Sequence, residues 1–263
     1  MKQRVVTAIV FGILLIPVIF LGEMPFKILI YGFATIGLVE LLRMRKISPT
    51  SFPGTISLIL LWVLLVPLPS LIFFDWLDVT KSEATLLAVI VLLAYTVLVK
   101  NKFTFDDVGF LILSCIYVGM GFYYLILTRE AGVEYVFFAL FLIWATDTGA
   151  FFFGKAFGRH KLWPLISPKK TIEGAIGGIL LACGVAAIFQ WITPVHSSWF
   201  IVIGVAVVIS IFGQVGDLVE SAFKRHYSVK DSGRLLPGHG GVLDRFDSLI
   251  FVLPILHFIQ FIS

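Results

Sequence analysis

Apolar residues run along this chain in long stretches, interrupted by short polar ones. Stretches able to cross a bilayer as helices need roughly 17–25 such residues. They fall near residues 5–21, 26–42, 55–74, 84–99, 108–128, 133–153, 171–193, 198–220 and 247–262, the fourth and ninth being shortest. The pattern predicts an all-α polytopic integral membrane protein of about nine transmembrane helices. The first run follows Met1-Lys2-Gln3-Arg4 and shares features with a signal peptide. Eight further runs behind it favour a retained first helix.

Composition agrees with the pattern. The 263 residues are 59% hydrophobic and only 14% charged, with mean hydropathy +1.02, whereas apolar residues make up about half of a soluble domain. This excludes an ordinary soluble domain. Cys115 and Cys183 each sit inside an apolar run and read as small hydrophobes, not as a disulfide or metal pair. There is no fixed-period repeat, low-complexity tract or separate soluble domain. The chain reads as one membrane domain, 1–263, with N-terminal helices over about 1–128 and a motif-bearing part over about 133–263.

Basic residues orient it. With alternating loops, the N-terminus and loops two, four, six and eight hold 17 of the 20 Lys and Arg, against Lys27, Lys81 and Arg129 opposite. Removing the ten in loops six and eight still leaves seven against three. The positive-inside tendency therefore predicts a cytoplasmic N-terminus, an external C-terminus and a cytoplasmic polar face. The expected location is a bacterial-type inner or plasma membrane. The net charge of +4 suits an anionic surface or substrate without distinguishing them.

Three polar islands flank this face. In the first, Thr146 to Leu162, Asp147 lies inside the sixth run, where a carboxylate usually faces a cavity or a partner. An interhelical hydrogen bond or salt bridge is the plainer alternative. The second, Ser167-Pro-Lys169-Lys170-Thr171-Ile-Glu173-Gly174, reads as a turn and a helix start, capped by Thr171 or Ser167. Its lysines alone would also fit headgroup anchors.

The third island is the strangest. Ser221 to Asp247 packs five Lys or Arg, three Asp, two His and four Gly into 27 residues. Just before it, Gln214, Asp217, Ser221 and Lys224 recur at helical spacing, with Glu220 beside them, so a polar stripe lies on the eighth span. Asp244 and Asp247 are three apart at the start of the ninth, where Asp247 alone could be an N-cap.

The residue types suggest the chemistry. Asp217, Asp244 and Asp247 offer hard oxygen ligands suited to magnesium, and His226 and His239 lack a zinc spacing. Lys169, Lys170, Lys224, Arg225, Lys230, Arg234 and Arg245 exceed what these carboxylates need. Gly238, Gly240 and Gly241 let backbone N–H groups approach an anion. Metal, cations and a glycine turn are what phosphoryl or nucleotidyl transfer requires. No GxxxxGK[ST] loop is present, so this is not a P-loop enzyme.

At these positions the chain resembles the phosphatidate cytidylyltransferase, or CDP-diacylglycerol synthase, family. The resemblance rests on Ser221-Ala-Phe-Lys224-Arg225, Lys230-Asp231 and Pro237-Gly-His239-Gly240-Gly241-Val-Leu-Asp244-Arg245-Phe-Asp247. The two other islands and Gln214-Val-Gly-Asp217-Leu-Val-Glu220 resemble it too; Ile172, where relatives often carry Trp, departs in packing more than in chemistry. The motifs cover about a quarter of the chain. The resemblance implies transfer of a cytidylyl group from CTP to phosphatidic acid, with magnesium, a second metal ion being left open. It also implies a homodimer, and no nucleic acid is expected as partner.

The candidate catalytic residues are therefore Asp217, Lys224, Arg225, Asp244 and Asp247, with Asp217, Asp244 and Asp247 as metal ligands. Candidate substrate-binding residues are Asp147, Lys169, Lys170, Thr171, Glu173, Glu220, Ser221, Lys230, His239, Gly240, Gly241 and Arg245. Two alternatives fit less well: a CTP-dependent kinase of the polyprenol or phytol type, and an ion-coupled transporter using Asp147 and Asp217. The transporter leaves the basic residues and the glycine turn unexplained.

Overall fold

The computed structural model describes residues 12–13, 15–66, 80–233, 235, 238 and 240–262. Eight helices follow in order: α1 (Glu23–Met44), α2 (Phe52–Leu65), α3 (Lys81–Leu98), α4 (Phe105–Ala131), α5 (Val133–Phe157), α6 (Ile172–Ile192), α7 (Trp199–His226) and α8 (Leu243–Phe258). Residues 12–13 and 15–21 are helical too, but most of the run expected at 5–21 lies outside the described residues. The third expected run, 55–74, is helical only to Leu65 among them.

Among the described residues, α1 and α3 to α7 are long and apolar enough to cross a membrane; α2, with 14 residues, and α8, with 16, are shorter. Thr80 and Thr104 start α3 and α4 as reciprocal capping boxes with Glu83 and Asp107, which satisfies the first free N–H groups of each helix. Outside, Phe151, Phe152, Leu180, Trp191 and Phe200 stand exposed, as expected of a lipid-facing surface.

The chain is not wholly helical. Lys161–Trp163 (β1) and Ser167–Thr171 (β2) form a small antiparallel hairpin between α5 and α6. Pro168 disfavours helix for the residue before it, so Ser167 enters the hairpin extended. The stretch expected to be a turn is therefore β2, and Thr171 caps α6 by accepting from Gly174 N at 3.1 Å.

Helix α4 packs against α1, α2, α3, α5 and α8, while α5 to α8 pack on one another. In lipid, apolar burial gains little over lipid contact, so close backbone approach and interhelical hydrogen bonds matter more. A Cβ at Gly149 would lie 2.8 Å from Gly177 O, and one at Gly178 would lie 2.7 Å from Thr146 O, so small residues let α5 and α6 touch. Thr146 Oγ1 donates to Ser210 Oγ at 2.9 Å, joining α5 to α7. Phe246 of α8 is wedged between Phe33 of α1 and Phe122 of α4, each ring pair with centroids 5.3 Å apart. That wedge fixes the rotation of α8 and so the direction of its carboxylates.

Lys27 pairs with Glu130 at 2.6 Å, and Arg129 Nε donates to Ile19 O. Together they mark one end of the bundle. Arg45, paired with Asp107 at 2.8 Å, marks the other, where α7 ends and α8 begins.

Candidate active site

Helices α7 and α8 meet near their polar ends. Asp217 and Glu220 are three apart on α7 and therefore share a face; Asp247 is on the first turns of α8. One ligand oxygen from each of Asp217, Glu220 and Asp247 lies within 4.8 Å of the others. Glu220 is only 1% exposed, and its Oε1 has no hydrogen-bond partner among the described residues. A buried acceptor left empty costs about 1–3 kcal/mol, so this oxygen is suited to a ligand. Among the described residues no His or Cys joins the group, and three carboxylates form a donor set for a hard cation.

Cations surround the cluster. Lys170, at the end of β2, forms an ion pair with Asp217. Lys224 Nζ bridges Glu220 Oε2 at 2.8 Å and Asp244 Oδ1 at 2.7 Å. The other Asp244 oxygen accepts from Ser232 N and Gly241 N, both at 2.8 Å, and lies 2.7 Å from Ser232 Oγ. Both Asp244 oxygens are thus occupied, and it stands beside the three-carboxylate group instead of in it. Burial alone would disfavour the Asp244 charge; Lys224, the Gly241 N–H and the Ser232 hydroxyl compensate it. Asp247 is the fifth residue of α8, whose N-cap position is Val242, so it is not the helix cap.

Glu40 was not among the candidates. It is the sole acid in the second apolar run, which is the signal that points to it. The side chain is 3% exposed and reaches from α1 to the start of α8. Its oxygens accept from Val242 N at 2.9 Å and Leu243 N at 3.0 Å, and Ser232 Oγ donates to it at 3.0 Å. A Cβ at Gly240 would overlap the Asp244 carboxylate, and one at Gly241 would overlap Glu40. These glycines therefore make room for carboxylates of the chain itself.

The remaining candidates divide. Asp147 and Arg245 line, with Asp247, a cleft of about 510 Å³ whose walls include Ile16, Phe137, Leu140, Phe141 and Trp144. Ser221 is half-buried next to Glu220, while Lys169 and Lys230 are exposed. Arg225 Nε donates to Ile166 O at 3.3 Å, which ties α7 to the hairpin turn. Glu173 accepts from Arg159 N at 3.1 Å and pairs with His160 at 2.6 Å, securing the chain after α5. Thr171 is engaged as the α6 cap, and His239 lies outside the described residues.

The sequence is similar to known proteins over nearly its whole length. Residues 2–263 match the cytidylyltransferase family. A phosphatidate cytidylyltransferase of Bacillus subtilis is 50% identical over 262 residues, covering 98% of this chain and 97% of that protein. Proteins of the same name from Staphylococcus epidermidis and Staphylococcus aureus are 46% and 45% identical over 257 residues, covering 98% of both partners in each case.

Proposed function

The chain belongs to the cytidylyltransferase family, and on that premise we propose that it makes CDP-diacylglycerol and pyrophosphate from CTP and phosphatidic acid, in phospholipid biosynthesis. One observation carries the reading: Asp217, Glu220 and Asp247 converge where Asp247 also lines an apolar cleft. A nucleotide, a lipid phosphate and an acyl chain have adjoining places there.

The apolar cleft receives the acyl chains, which leaves the lipid phosphate beside Asp147, Arg245 and Asp247. Asp217, Glu220 and Asp247 would hold magnesium, with Glu220 Oε1 the open ligand atom. When bound, the ion would neutralise charge on the CTP phosphates and the leaving pyrophosphate. The lipid phosphate is already anionic, so no alcohol must be deprotonated. One of its oxygens bonds to the α-phosphorus of CTP as the bond from that phosphorus to the bridging β-phosphate oxygen breaks. Lys170 and Lys224 stand at the carboxylates, and Arg245 at the cleft, to receive the phosphates. Positioning and charge neutralisation are the main contributions such a site can make.

In the same reading the chain has nine spans, its N-terminus and this site face the cytoplasm, and it works as a homodimer. The basic asymmetry of the loops supports the orientation, since alternation of nine spans would put 17 of 20 Lys and Arg on the side of the site. The test is pyrophosphate release by purified protein in detergent. Release should need both CTP and phosphatidate; release without the lipid, or CDP in place of pyrophosphate, would contradict the proposal.

A further inference from the structure

We propose that Glu40 is a positioning residue for this reaction: from a helix outside the motif-bearing part, it sets the loop and helix start on which Lys224 and the carboxylate cluster depend. The inference rests on the cytidylyl-transfer reading above. Its ground is the bond pattern. Two carboxylates hold the described residues Ser232, Gly241 and Val242 between α7 and the first turn of α8. Asp244 binds Ser232 N and Gly241 N from within the segment. Glu40 comes from about 200 residues away and binds Val242 N, Leu243 N and Ser232 Oγ.

Each bond has a reason. The first N–H groups of a helix lack intrahelical partners, and a carboxylate there meets both those donors and the positive end of the helix dipole. Val242 and Leu243 open α8, which has no side-chain cap of its own. Glu40 therefore supplies the missing cap from another helix. The Ser232 hydroxyl lies against Glu40 at 3.0 Å and Asp244 at 2.7 Å, so the two acids share one group. From Asp244 the contacts pass to Lys224 and then to Glu220 of the cluster. Glu40 does not touch the cluster; it acts through the α8 start and Asp244.

The purpose of so costly a residue follows. A buried carboxylate is tolerated only where donors satisfy it, and a leucine at position 40 would suit an apolar helix better. Glu40 makes the orientation of α8 depend on α1, so Asp247 is held at its distance from Asp217 by two anchors. The other is the Phe246 wedge.

The experiment compares wild type, Glu40→Ala, Glu40→Gln, Ser232→Ala and the Glu40→Ala/Ser232→Ala double variant, all purified in detergent. Wild type must first form CDP-diacylglycerol; if it does not, the functional reading fails, and this inference with it. Given that activity, Glu40→Ala should lower kcat at least tenfold and raise the magnesium concentration for half-maximal rate. KM for phosphatidate should change less than threefold. Glu40→Gln, which keeps one acceptor oxygen, should fall between. The double variant should lose less than the product of the single losses, because both act on the same contact. A metal-free readout accompanies these: trypsin cleavage after Lys230 should accelerate about tenfold in Glu40→Ala, with no change at Lys102. A Glu40→Ala protein within twofold of wild type in kcat, magnesium dependence and cleavage would overturn the proposal. So would a uniform loss of thermal stability in which the folded fraction keeps wild-type kcat and magnesium dependence.

Discussion

Gly216 lies against the carbonyl of Asp247: a Cβ at position 216 would stand 2.8 Å from Asp247 O and 2.8 Å from the Phe251 side chain. The residue beside Gly216 on α7 is Asp217. A close approach of the two helices is thus built one residue from the carboxylate that must meet Asp247. Convergence of acids from separate helices needs such a contact, because any side chain at 216 would drive the axes apart.

Replacing Gly216 therefore tests the geometry without touching a charge. Overpacking of this kind costs about 1–3 kcal/mol. Gly216→Ala should lower activity about tenfold with a modest fall in thermal midpoint, and Gly216→Val should lower both further. Steady-state rates and thermal unfolding in detergent check this. Unchanged activity in Gly216→Val would mean that the α7–α8 spacing does not set the site.

The carboxylates should differ in metal-free stability. Asp217, Glu220 and Asp247 crowd together, and like charges that close repel. Asp247→Asn relieves that repulsion and leaves the partners of Lys170 and Lys224 in place, so it should unfold at or above the wild-type temperature without magnesium. Magnesium should stabilise wild type by an amount that grows with the logarithm of its concentration above Kd, and raise Asp247→Asn little. Asp244→Asn should behave oppositely: it loosens Lys224 and the Ser232 segment, so its midpoint falls in either condition. Thermal scans with and without magnesium decide.

Much of this was legible before any coordinates. Helical spacing places Asp217 and Lys224 on one face, and the apolar runs locate α1 and α3 to α6 to within a few residues, whereas α7 runs on to His226, past the expected end at 220. What spacing does not convey is height along a neighbouring helix. Asp244 and Asp247 share a face, yet about 4.5 Å of rise separates them. Only Asp247 is level with Asp217, whereas Asp244 meets the loop. Glu220 entered as a substrate ligand beside the stripe and lies in the cluster itself. Glu40 was hidden for a different reason: its partners are about 200 residues away, and no local pattern encodes them. The hairpin escaped because β1 is three residues and β2 five, too short for alternation to show.

The lysines of β2 should differ. Lys170 pairs with Asp217, whereas Lys169 is exposed. Lys170→Ala should cut turnover at least tenfold and keep the fold, while Lys169→Ala should lose only a few-fold. Equal, small effects in detergent would reduce both to headgroup anchors.

Orientation is open to labelling. Leu165, at the hairpin turn, is 92% exposed, and Ser197, between α6 and α7, is exposed as well. In a background lacking Cys115 and Cys183, cysteines at 165 and 197 should react from opposite sides of sealed vesicles. Position 165 should face the cytoplasm. Reaction of both from one side would contradict the topology.

The central claim is that this site moves the cytidylyl group, not the terminal phosphate, onto lipid. Purified protein, phosphatidate and magnesium should be incubated with CTP labelled at the α-phosphorus or, in a parallel reaction, at the γ-phosphorus, and the extracted lipid counted. Cytidylyl transfer puts α-label in the lipid and γ-label only in pyrophosphate, and the α-label in lipid should be lost in Asp247→Asn. Label from the γ position in the lipid, or α-label undiminished in Asp247→Asn, would contradict it.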